Sequence, residues 1–444
     1  MIMNARHSIL YLLTLILCAG AMVPGFAQTA PTGYERDRGR AMLNIIKNDL
    51  KKYYYDPTFH GMDLDARFKE AEEKMKTAAS QGQILGIIAQ ILVELDDSHT
   101  YFVPPARSFT TEYGWQMQMI ANKCYVIAVK PGSDAEVKGL KEGDEIISVD
   151  GIGPIRENLW KINYTYQALR PRSGVRLVVI KPDGKEQQVD VMAKVTEGKR
   201  VLDLTGSDSG SDIFDLIRQS ENQERLDRHR YYELGEELFI WKMPAFDLSE
   251  PKVDELLGKA KKRKSLILDL RGNGGGYETT LLRMISNLFD HDIKLGEVKR
   301  RKETKPLVAK TRGDGTVPGK LIVLIDSKSG SAAELFARTV QLEKRGVVIG
   351  DVSAGAVMRS KQYDHNLGTD TVIFFGASIT DADVVMTDGK SLERVGVIPD
   401  EVKVPTASDL AAKRDPVLAY AAILAGVNIS PEKAGALFPI EWKK

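Results

Sequence analysis

Cysteine is scarce in this chain of 444 residues, which contains only Cys18 and Cys124. Cys18 lies in an apolar stretch near the start that we predict to be removed. Cys124 would then be the single cysteine of the mature chain, so no internal disulfide can form. It lies in an apolar, strand-like stretch, which favours a position in the core over a catalytic role.

Histidine is also rare, and neither sign of charge is in clear excess. The six histidines form no His-Glu-x-x-His pattern, which argues against a zinc metallopeptidase of that type. The net charge of +1 gives no overall field for holding nucleic acid or an anionic membrane. We therefore predict no metal, no other cofactor and no nucleic-acid partner.

Long apolar runs are missing beyond the first residues. Ile9–Val23 is the one such run; the basic Arg6 precedes it and the small-residue pattern of 25–27 follows it. This order is typical of a signal peptide over 1–27, with a mature start at Gln28. The run is short for a membrane span. We expect an exported protein, periplasmic or extracellular, without an integral membrane span after removal of the signal.

The chain is long enough for two or three domains. Residues 34–108 are predicted to form a helical domain, because they contain amphipathic stripes such as Leu43, Ile46, Leu50 and Tyr54. Residues 205–410 begin with a polar linker or loop at 205–212 and then alternate strands with helices, which predicts an α/β domain with a largely parallel sheet. Residues 411–444 are predicted to be a helical tail.

Residues 112–195 have a different character. Residues 124–151 contain a strand, a Pro-Gly-Ser turn, a short helix and an alternating strand, and a hairpin follows. This stretch closely resembles a PDZ domain, which implies a small β-rich module that receives a chain end as an added strand. A PDZ module that only packs or gates is the alternative. The nearest candidate for the carboxylate-binding loop is Tyr113-Gly114-Trp115.

The stretch "LILDLRGNGGG" (266–276) leads an apolar strand into a glycine cluster. Such glycines let backbone N–H groups approach a negative charge, either a phosphate or an oxyanion formed during catalysis. A Walker motif requires lysine and then serine or threonine after its glycines, where this chain has Tyr277-Glu278. A dinucleotide motif requires a third glycine at Tyr277. Neither phosphate motif fits.

A second informative stretch, "LIVLIDSKSGSAAELFARTVQ" (321–341), predicts a strand that ends at Asp326 and a helix that starts near Ala332. A serine at such a turn lies beside the free N–H groups and the positive dipole end of the helix. Both features favour a developing negative charge. Ser329 and Ser331 could use them in catalysis, or could be plain N-caps.

Together with "GVIPD" (396–400) and the PDZ-like module, these stretches resemble the serine peptidase family that includes the C-terminal processing proteases and the tricorn protease. The resemblance covers roughly residues 34–425. It implies a multidomain α+β protein: an N-terminal helical region, a PDZ-like β-rich domain and a crotonase-like ββα catalytic domain at 205–410. It also implies an exported enzyme that hydrolyses peptide bonds in protein or peptide substrates.

The same resemblance implies a set of site residues. The second serine of the family pattern Ser-x-Ser-Ala-x-Glu is the nucleophile, which places it at Ser331. The oxyanion hole comes from a backbone N–H of the glycine loop, at Gly274 or Gly275, and from the N–H of Ala332. The reaction implied is acyl transfer with paired backbone donors on the oxyanion.

One departure from the family concerns the base. C-terminal processing proteases use a lysine in a Gly-Glu-x-x-x-Gly-Lys-Gly stretch, and the matching segment, 350–357, has Ala356 at the lysine position. Alanine cannot take a proton, which excludes that Ser–Lys dyad here. Lys361, five residues later, would serve only in a remodelled loop.

The tricorn branch offers another base. It uses a histidine from the region before the PDZ module, in a Ser-His pair, and a glutamate just before Gly-Val-x-Pro-Asp. On this resemblance His99 is the general base, and Ser98 and Glu393 orient and polarise its ring. An unperturbed imidazole titrates near pH ~6.5, which suits this task.

Two other functions remain open at this stage. One is a catalytically inactive family member that binds peptides or partners through its PDZ module, for which Ala356 is the best argument. The other is a hydrolase of esters or other acyl substrates. No Gly-x-Ser-x-Gly elbow surrounds Ser331, which counts against an α/β-hydrolase. The sequence predicts neither the substrate nor the oligomeric state.

Overall fold

The structure is a computed structural model that describes residues 30–107, 109–197, 223–368 and 372–442. The predicted signal peptide, with Cys18, and the polar stretch at 205–212 lie outside the described residues. Within the described ranges, each helix is too short or too polar to cross a membrane.

Three helices form the N-terminal region. They are α1 (Gly33–Tyr53), α2 (Leu64–Lys76) and α3 (Gln81–Glu94), with a short 3-10 turn at Phe59–Gly61 between the first two. A capping box between Thr32 and Glu35 starts α1. The predicted stripe is confirmed, since its four members are fully buried: Leu43, Ile46, Leu50 and Tyr54.

A five-stranded antiparallel sheet forms the PDZ-like module, in the order β3-β4-β5-β6-β7. The strands are β3 (Trp115–Ile120), β4 (Lys123–Val129), β5 (Glu145–Val149), β6 (Gly174–Ile180) and β7 (Glu186–Met192). The helices are α4 (Asp134–Val137) and α5 (Leu159–Tyr164), the latter continued by a π-turn at Thr165–Leu169. A two-stranded sheet joins β2 (Phe109–Glu112) to β8 (Lys194–Glu197).

Cys124 lies inside this module. Its side chain is buried on β4, and burial raises the pKa of the thiol to about 12. The core position predicted from the sequence is therefore confirmed.

The predicted α/β sheet is present, in the order β18-β15-β14-β11-β10-β9. Its strands are β9 (Arg230–Leu234), β10 (Leu238–Lys242), β11 (Ser265–Asp269), β14 (Lys320–Ile325), β15 (Gly346–Gly350) and β18 (Glu401–Val402). All neighbours pair in parallel except β9, which is antiparallel to β10. β11 is buried at every position because helices cover both faces.

The helices of this region cover both faces of the sheet. One face carries α6 (Glu250–Ala260), α7 (Glu278–Ser286) and α8 (Ala332–Leu342), and the other carries α10 (Pro416–Leu424) and α11 (Pro431–Leu437). A short helix, α9 (Ala407–Ala411), precedes α10, residues 223–227 are helical, and a 3-10 turn lies at Gly313–Gly315.

A second sheet joins the N-terminal region to the α/β region. It contains β1 (Tyr101–Val103), β12 (Ile293–Arg300), β13 (Thr304–Ala309), β16 (Arg359–Leu367) and β17 (Ile373–Met386). β1 pairs antiparallel with β17, with Phe102 opposite Ala377. The N-terminal region is therefore not wholly helical as the sequence pattern suggested, because Phe102 packs as a strand residue against Phe375 in the helical core.

Candidate active site

Ser331 lies at the turn between β14 and α8, in the N-cap position of the helix. Its backbone has φ 52° and ψ −118°, in a region that residues other than glycine rarely adopt. Its N–H donates to the carbonyl of Ala356 at 2.7 Å and to Glu334 Oε2 at 3.0 Å. Its side chain is only half-buried. These contacts hold a strained serine at the accessible end of the helix.

The other serine of the turn, Ser329, is buried and has a structural role. Its hydroxyl donates to the carbonyl of Leu270 at 2.8 Å and accepts the N–H of Asp326 at 2.9 Å. These bonds join the ends of β11 and β14. Of the two serines considered from the sequence, Ser331 is therefore the one with an accessible side chain.

The glycine loop passes directly beside Ser331. Gly275 has φ +105°, and a Cβ there would lie 2.5 Å from the Cβ of Ser331. A side chain at Gly276 would collide with the backbone of Phe246. The close approach of the two chains is what requires glycine at these positions.

The N–H groups of this loop differ in their partners. The N–H of Gly275 donates to Asn273 Oδ1 at 2.8 Å. In the described part of the chain, the N–H groups of Gly274 and Ala332 donate no hydrogen bond to protein. These two donors are therefore free to bind an acceptor.

Glu334 is fully buried in the first turn of α8. Its Oε2 accepts the N–H groups of Ser331 and Ala356, and its Oε1 accepts the N–H of Gly355 and the hydroxyl of Ser353. Burial raises the pKa of this carboxyl to about 7, although the four donors oppose that shift. Glu334 therefore ties the segment around Ala356 to the backbone of Ser331.

His99 lies on a turn between α3 and β1 that Asp97 organises. Asp97 Oδ1 accepts the N–H of His99 at 3.0 Å and the N–H of Thr100 at 2.7 Å, and the hydroxyl of Thr380 also donates to it. This is an Asx-type turn, anchored to β17. It fixes the backbone from which the imidazole projects.

Ser98 and Glu393 fix the orientation of the His99 ring. Glu393 accepts the N–H and the hydroxyl of Ser98, both at 2.8 Å. The Ser98 oxygen lies 2.7 Å from His99 Nδ1. Because the single hydroxyl proton is donated to Glu393, Ser98 accepts a proton from Nδ1, which leaves Nε2 of the neutral ring unprotonated.

A short path connects this network to Ser331. Glu393 Oε2 accepts the N–H of Val357 at 3.0 Å, and the preceding residue, Ala356, accepts the N–H of Ser331. Between the described residues, no hydrogen bond joins the Ser331 hydroxyl to the His99 ring. Bonds of this kind are often long in a protein without substrate.

Burial controls the titration of both groups in this network. It lowers the pKa of His99 below 6.5, with the nearby charge of Asp97 opposing the shift. It also raises the pKa of Glu393, an effect opposed by hydrogen bonds from Val357 and Ser98. A neutral imidazole is therefore favoured near neutral pH.

Lys361 is placed elsewhere. It lies on β16 with 60% of its side chain exposed, and its Nζ is 3.9 Å from Asp381 Oδ2.

The described residues also include no group of three or more His, Cys, Asp or Glu side chains arranged to hold a metal ion.

Comparison with known proteins identifies two regions. Residues 240–403 match the family model "Peptidase family S41", and residues 109–161 match "PDZ domain". Residues 240–403 are therefore a peptidase family S41 region. This is the family of serine-type peptidases whose motifs the sequence resembles, so the recognition from sequence is confirmed.

Two relatives of this chain are proteases by name. The "Tail-specific protease" of Haemophilus influenzae is 25% identical over 309 residues, which cover 66% of this chain and 41% of that protein. The "Carboxy-terminal processing protease CtpA" of Bacillus subtilis is 24% identical over 409 residues, or 88% of this chain and 76% of that protein. This chain thus spans less than half of the first relative and about three quarters of the second.

A solved structure shares the fold of this chain. Mature CPAF, solved in complex with lactacystin, has a TM-score of 0.62 at 15% identity, covering 85% of this chain and 96% of that one. The likeness supports the predicted architecture of helices, PDZ module and α/β peptidase region.

The predicted loop Tyr113-Gly114-Trp115 lies where the chain enters β3, an edge strand of the PDZ sheet. Gly114 has φ +72°, and a Cβ there would lie 2.5 Å from the Cβ of Ser133. Tyr113 and Trp115 line a cavity of about 220 Å³. The loop is therefore beside both an edge strand of the sheet and a cavity.

Two residues that support this S41 site were not singled out from the sequence. Asn273 accepts the N–H of Gly275 and, through its carbonyl, the N–H of Gly330. Glu334 accepts the N–H groups of Ser331, Gly355 and Ala356. Glu334 could have been found, since it is the last residue of the pattern Ser-x-Ser-Ala-x-Glu. Asn273 carried no comparable signal.

Proposed function

We propose that this protein is an exported serine endopeptidase or carboxy-terminal processing peptidase that uses Ser331 as nucleophile and His99 as general base. The observation that carries the proposal is the hydrogen-bonded set of Glu393, Ser98 and His99, which the backbone of 356–357 connects to the strained Ser331. It supplies a base at a site where the family lysine is replaced by Ala356.

The chemistry follows from these positions. His99 Nε2 takes the proton of Ser331 as the Oγ attacks the scissile carbonyl carbon, and a tetrahedral oxyanion forms. The protonated ring then gives its proton to the leaving amine, and an acyl-enzyme remains. Water, activated by the same ring, hydrolyses this ester and restores the serine. Ser98 and Glu393 stabilise the imidazolium that forms in each half of the reaction.

The oxyanion hole in this proposal consists of the N–H groups of Gly274 and Ala332. Among the described residues neither of these N–H groups has a protein acceptor, whereas the N–H of Gly275 is occupied by Asn273. Gly275 contributes instead by permitting the close approach to Ser331. Paired donors placed in advance stabilise a developing oxyanion more effectively than mobile water.

Substrate delivery in this proposal involves the PDZ module, which presents protein or peptide chains to the cleft. The apolar run at Ile9–Val23 supports export through a signal peptide to a periplasm or beyond.

An inactive, peptide-binding member of the family is the second candidate. The alanine at position 356 and the missing bond between Ser331 and His99 favour it.

A fluorophosphonate probe tests the proposal, because it forms an adduct with an activated serine. We expect labelling of the full chain at Ser331, mapped by mass spectrometry, together with hydrolysis of fluorescein-labelled casein. Ser331→Ala should lose both signals. Ser329→Ala is the control, because it disturbs the structure of the same turn without removing the nucleophile. Folded protein without an adduct and without hydrolysis would contradict the proposal and support the inactive candidate.

A further inference from the structure

Asp97 is a buried carboxylate that directly precedes the Ser98-His99 pair. Only 1% of the residue is exposed. Its Oδ1 accepts the N–H of His99 at 3.0 Å, the N–H of Thr100 at 2.7 Å and the hydroxyl of Thr380 at 2.8 Å. The bond to the backbone of His99 fixes the carboxylate beside the residue that carries the imidazole.

The other oxygen of Asp97 has no hydrogen-bond partner in the described part of the chain. Oδ2 is buried, and the buried hydroxyl of Tyr54 likewise lacks a partner there. The two groups are close enough for the charge of Asp97 to add to the effect of burial in raising the pKa of Tyr54. The next phenol, that of Tyr55, is instead bonded to His60. Because a buried oxygen without a donor costs free energy, the surroundings satisfy the charge of Asp97 only in part.

This charge also lacks a cation. Among the described residues, no lysine, arginine or histidine side chain forms an ion pair with Asp97. The neighbouring Asp96 differs, since it is exposed and lies 2.7 Å from Arg394. A buried charge is unfavourable unless an opposite charge lies nearby. The His99 ring supplies such a charge when it becomes an imidazolium.

Glu393, the other carboxylate of the network, is better satisfied. It accepts three donors, namely the N–H and hydroxyl of Ser98 and the N–H of Val357. The guanidinium of Arg394 lies 3.8 Å from its Oε1. Its link to the ring runs through the Ser98 hydroxyl. The charge of Glu393 is therefore partly neutralised, and one side chain separates it from the imidazole.

Charged groups on the neighbouring segments are engaged elsewhere. Asp56 accepts N–H groups of its own turn, and Asp383 accepts a serine hydroxyl. Three cations of β12 and β16 surround Asp381. Burial lowers the pKa of His99, and the charge that opposes this effect is that of Asp97. Asp97 is thus the anion that acts most directly on the ring.

We propose that Asp97 is a positioning residue with two tasks. Through Oδ1 it holds the turn from which the His99 ring projects, and through its unpaired buried charge it stabilises the imidazolium that forms when Ser331 is deprotonated. Asp97 neither contacts the substrate nor exchanges a proton with the ring. This inference rests on the proposed function in one respect, namely that His99 is the base.

Asp97→Asn separates the two tasks, because it removes the charge and keeps an oxygen at the Oδ1 position. The amide NH₂ then replaces Oδ2 and faces the Tyr54 hydroxyl, which can rotate to accept a proton. We expect the variant to fold, and kcat for casein hydrolysis to fall by about tenfold or more with little change in KM. The acid limb of kcat/KM should move to lower pH, since the imidazolium loses a nearby negative charge.

A titration of the ring itself does not depend on turnover. NMR of the full chain with ¹³C-labelled histidine follows the His99 resonance on the Ser331→Ala background, and His99→Gln assigns the signal by its absence. We expect His99 to titrate at lower pH in Asp97→Asn than in the parent. Asp96→Asn is the matched control, because the carboxylate of Asp96 is exposed and paired. It should change neither the titration nor kcat.

Several results would overturn the inference. They are an unchanged titration of His99 in Asp97→Asn, an unchanged kcat in active protein, and an equal effect in Asp96→Asn. Asp97→Ser is a second neutral variant that can cap the same turn. Failure of both neutral variants to fold would also contradict the inference, because it assigns the turn to an acceptor oxygen and not to the charge.

The two measurements separate this inference from the proposed function. If wild-type protein cleaves casein and takes the fluorophosphonate label, but His99 titrates alike with and without Asp97, only the role of Asp97 fails. If His99 titrates at lower pH in Asp97→Asn but Ser331 takes no label in the wild type, the coupling of Asp97 to the ring stands and the proposed peptidase does not.

Discussion

Glu393 binds Ser98 twice, accepting its N–H and its hydroxyl at 2.8 Å each. The two residues belong to distant parts of the sequence, one after α3 and the other before β18. Their contact brings the His99 turn of the helical region to the peptidase sheet. The candidate site is therefore complete only when both regions have folded against each other.

Replacing Glu393 tests this contact. In Glu393→Gln the amide can still accept one proton from Ser98, but the negative charge that stabilises an imidazolium is lost. We expect kcat for casein hydrolysis to fall by about tenfold or more with little change in KM. Glu343→Gln, an exposed position after α8, should leave both constants unchanged.

The pH profile distinguishes a role in catalysis from a role in folding. Without the nearby carboxylate, protonated His99 is less stable, so the acid limb of kcat/KM should move to lower pH in Glu393→Gln. An unchanged limb together with reduced thermal stability would show that Glu393 only supports the fold.

Two substitutions identify the base. His99→Ala removes the only imidazole of the network, and we expect kcat to fall by about 10²- to 10⁴-fold. Lys361→Ala should retain most activity, because this lysine is exposed on β16 and lies beside Asp381. Circular dichroism checks that both variants fold. Loss of activity in the lysine variant alone would refute the assignment of His99.

Activity should depend on pH through His99. The ring must be neutral to accept a proton, and burial lowers its pKa below 6.5. Activity should therefore be full at neutral pH and remain substantial somewhat below pH 6.5, and it should fall only as the pH drops through the lowered pKa. A profile of kcat/KM against pH measures this midpoint. A midpoint above 7 would contradict the expected direction.

Local patterns were sufficient to predict much of the peptidase region. The apolar strand predicted before the glycine cluster is β11 (Ser265–Asp269), and the helix predicted to start near Ala332 is α8 (Ala332–Leu342). Both follow from continuous apolar runs and from turn residues at their ends. Such signals depend only on residues that are close in the sequence, so one sequence is enough to recognise them.

Contacts between segments that are distant in the sequence were harder to predict. No sequence pattern predicts the pairing of β1 with β17, since Tyr101–Val103 has too few residues to show the pattern of a strand. The family resemblance nominated His99 and Glu393, but the hydrogen bonds of Ser98 that join them depend on this tertiary pairing. Lys328, likewise, lines the cavity beside Tyr113 and Trp115 only because the turn between β14 and α8 packs against the PDZ module.

Glu334 offers a last test, because its carboxylate accepts four donors around Ser331. In Glu334→Gln one oxygen becomes an NH₂ group, which then faces two of these donors whichever way the amide turns. We expect the free energy of unfolding to fall by about 2 kcal/mol, measured by urea denaturation at a pH above the carboxyl pKa of about 7. Ser331 should also lose fluorophosphonate reactivity, since its strained backbone loses an acceptor. Glu343→Gln, which lies just beyond the same helix, should change neither property, and an equal effect of both substitutions would contradict the role assigned to Glu334.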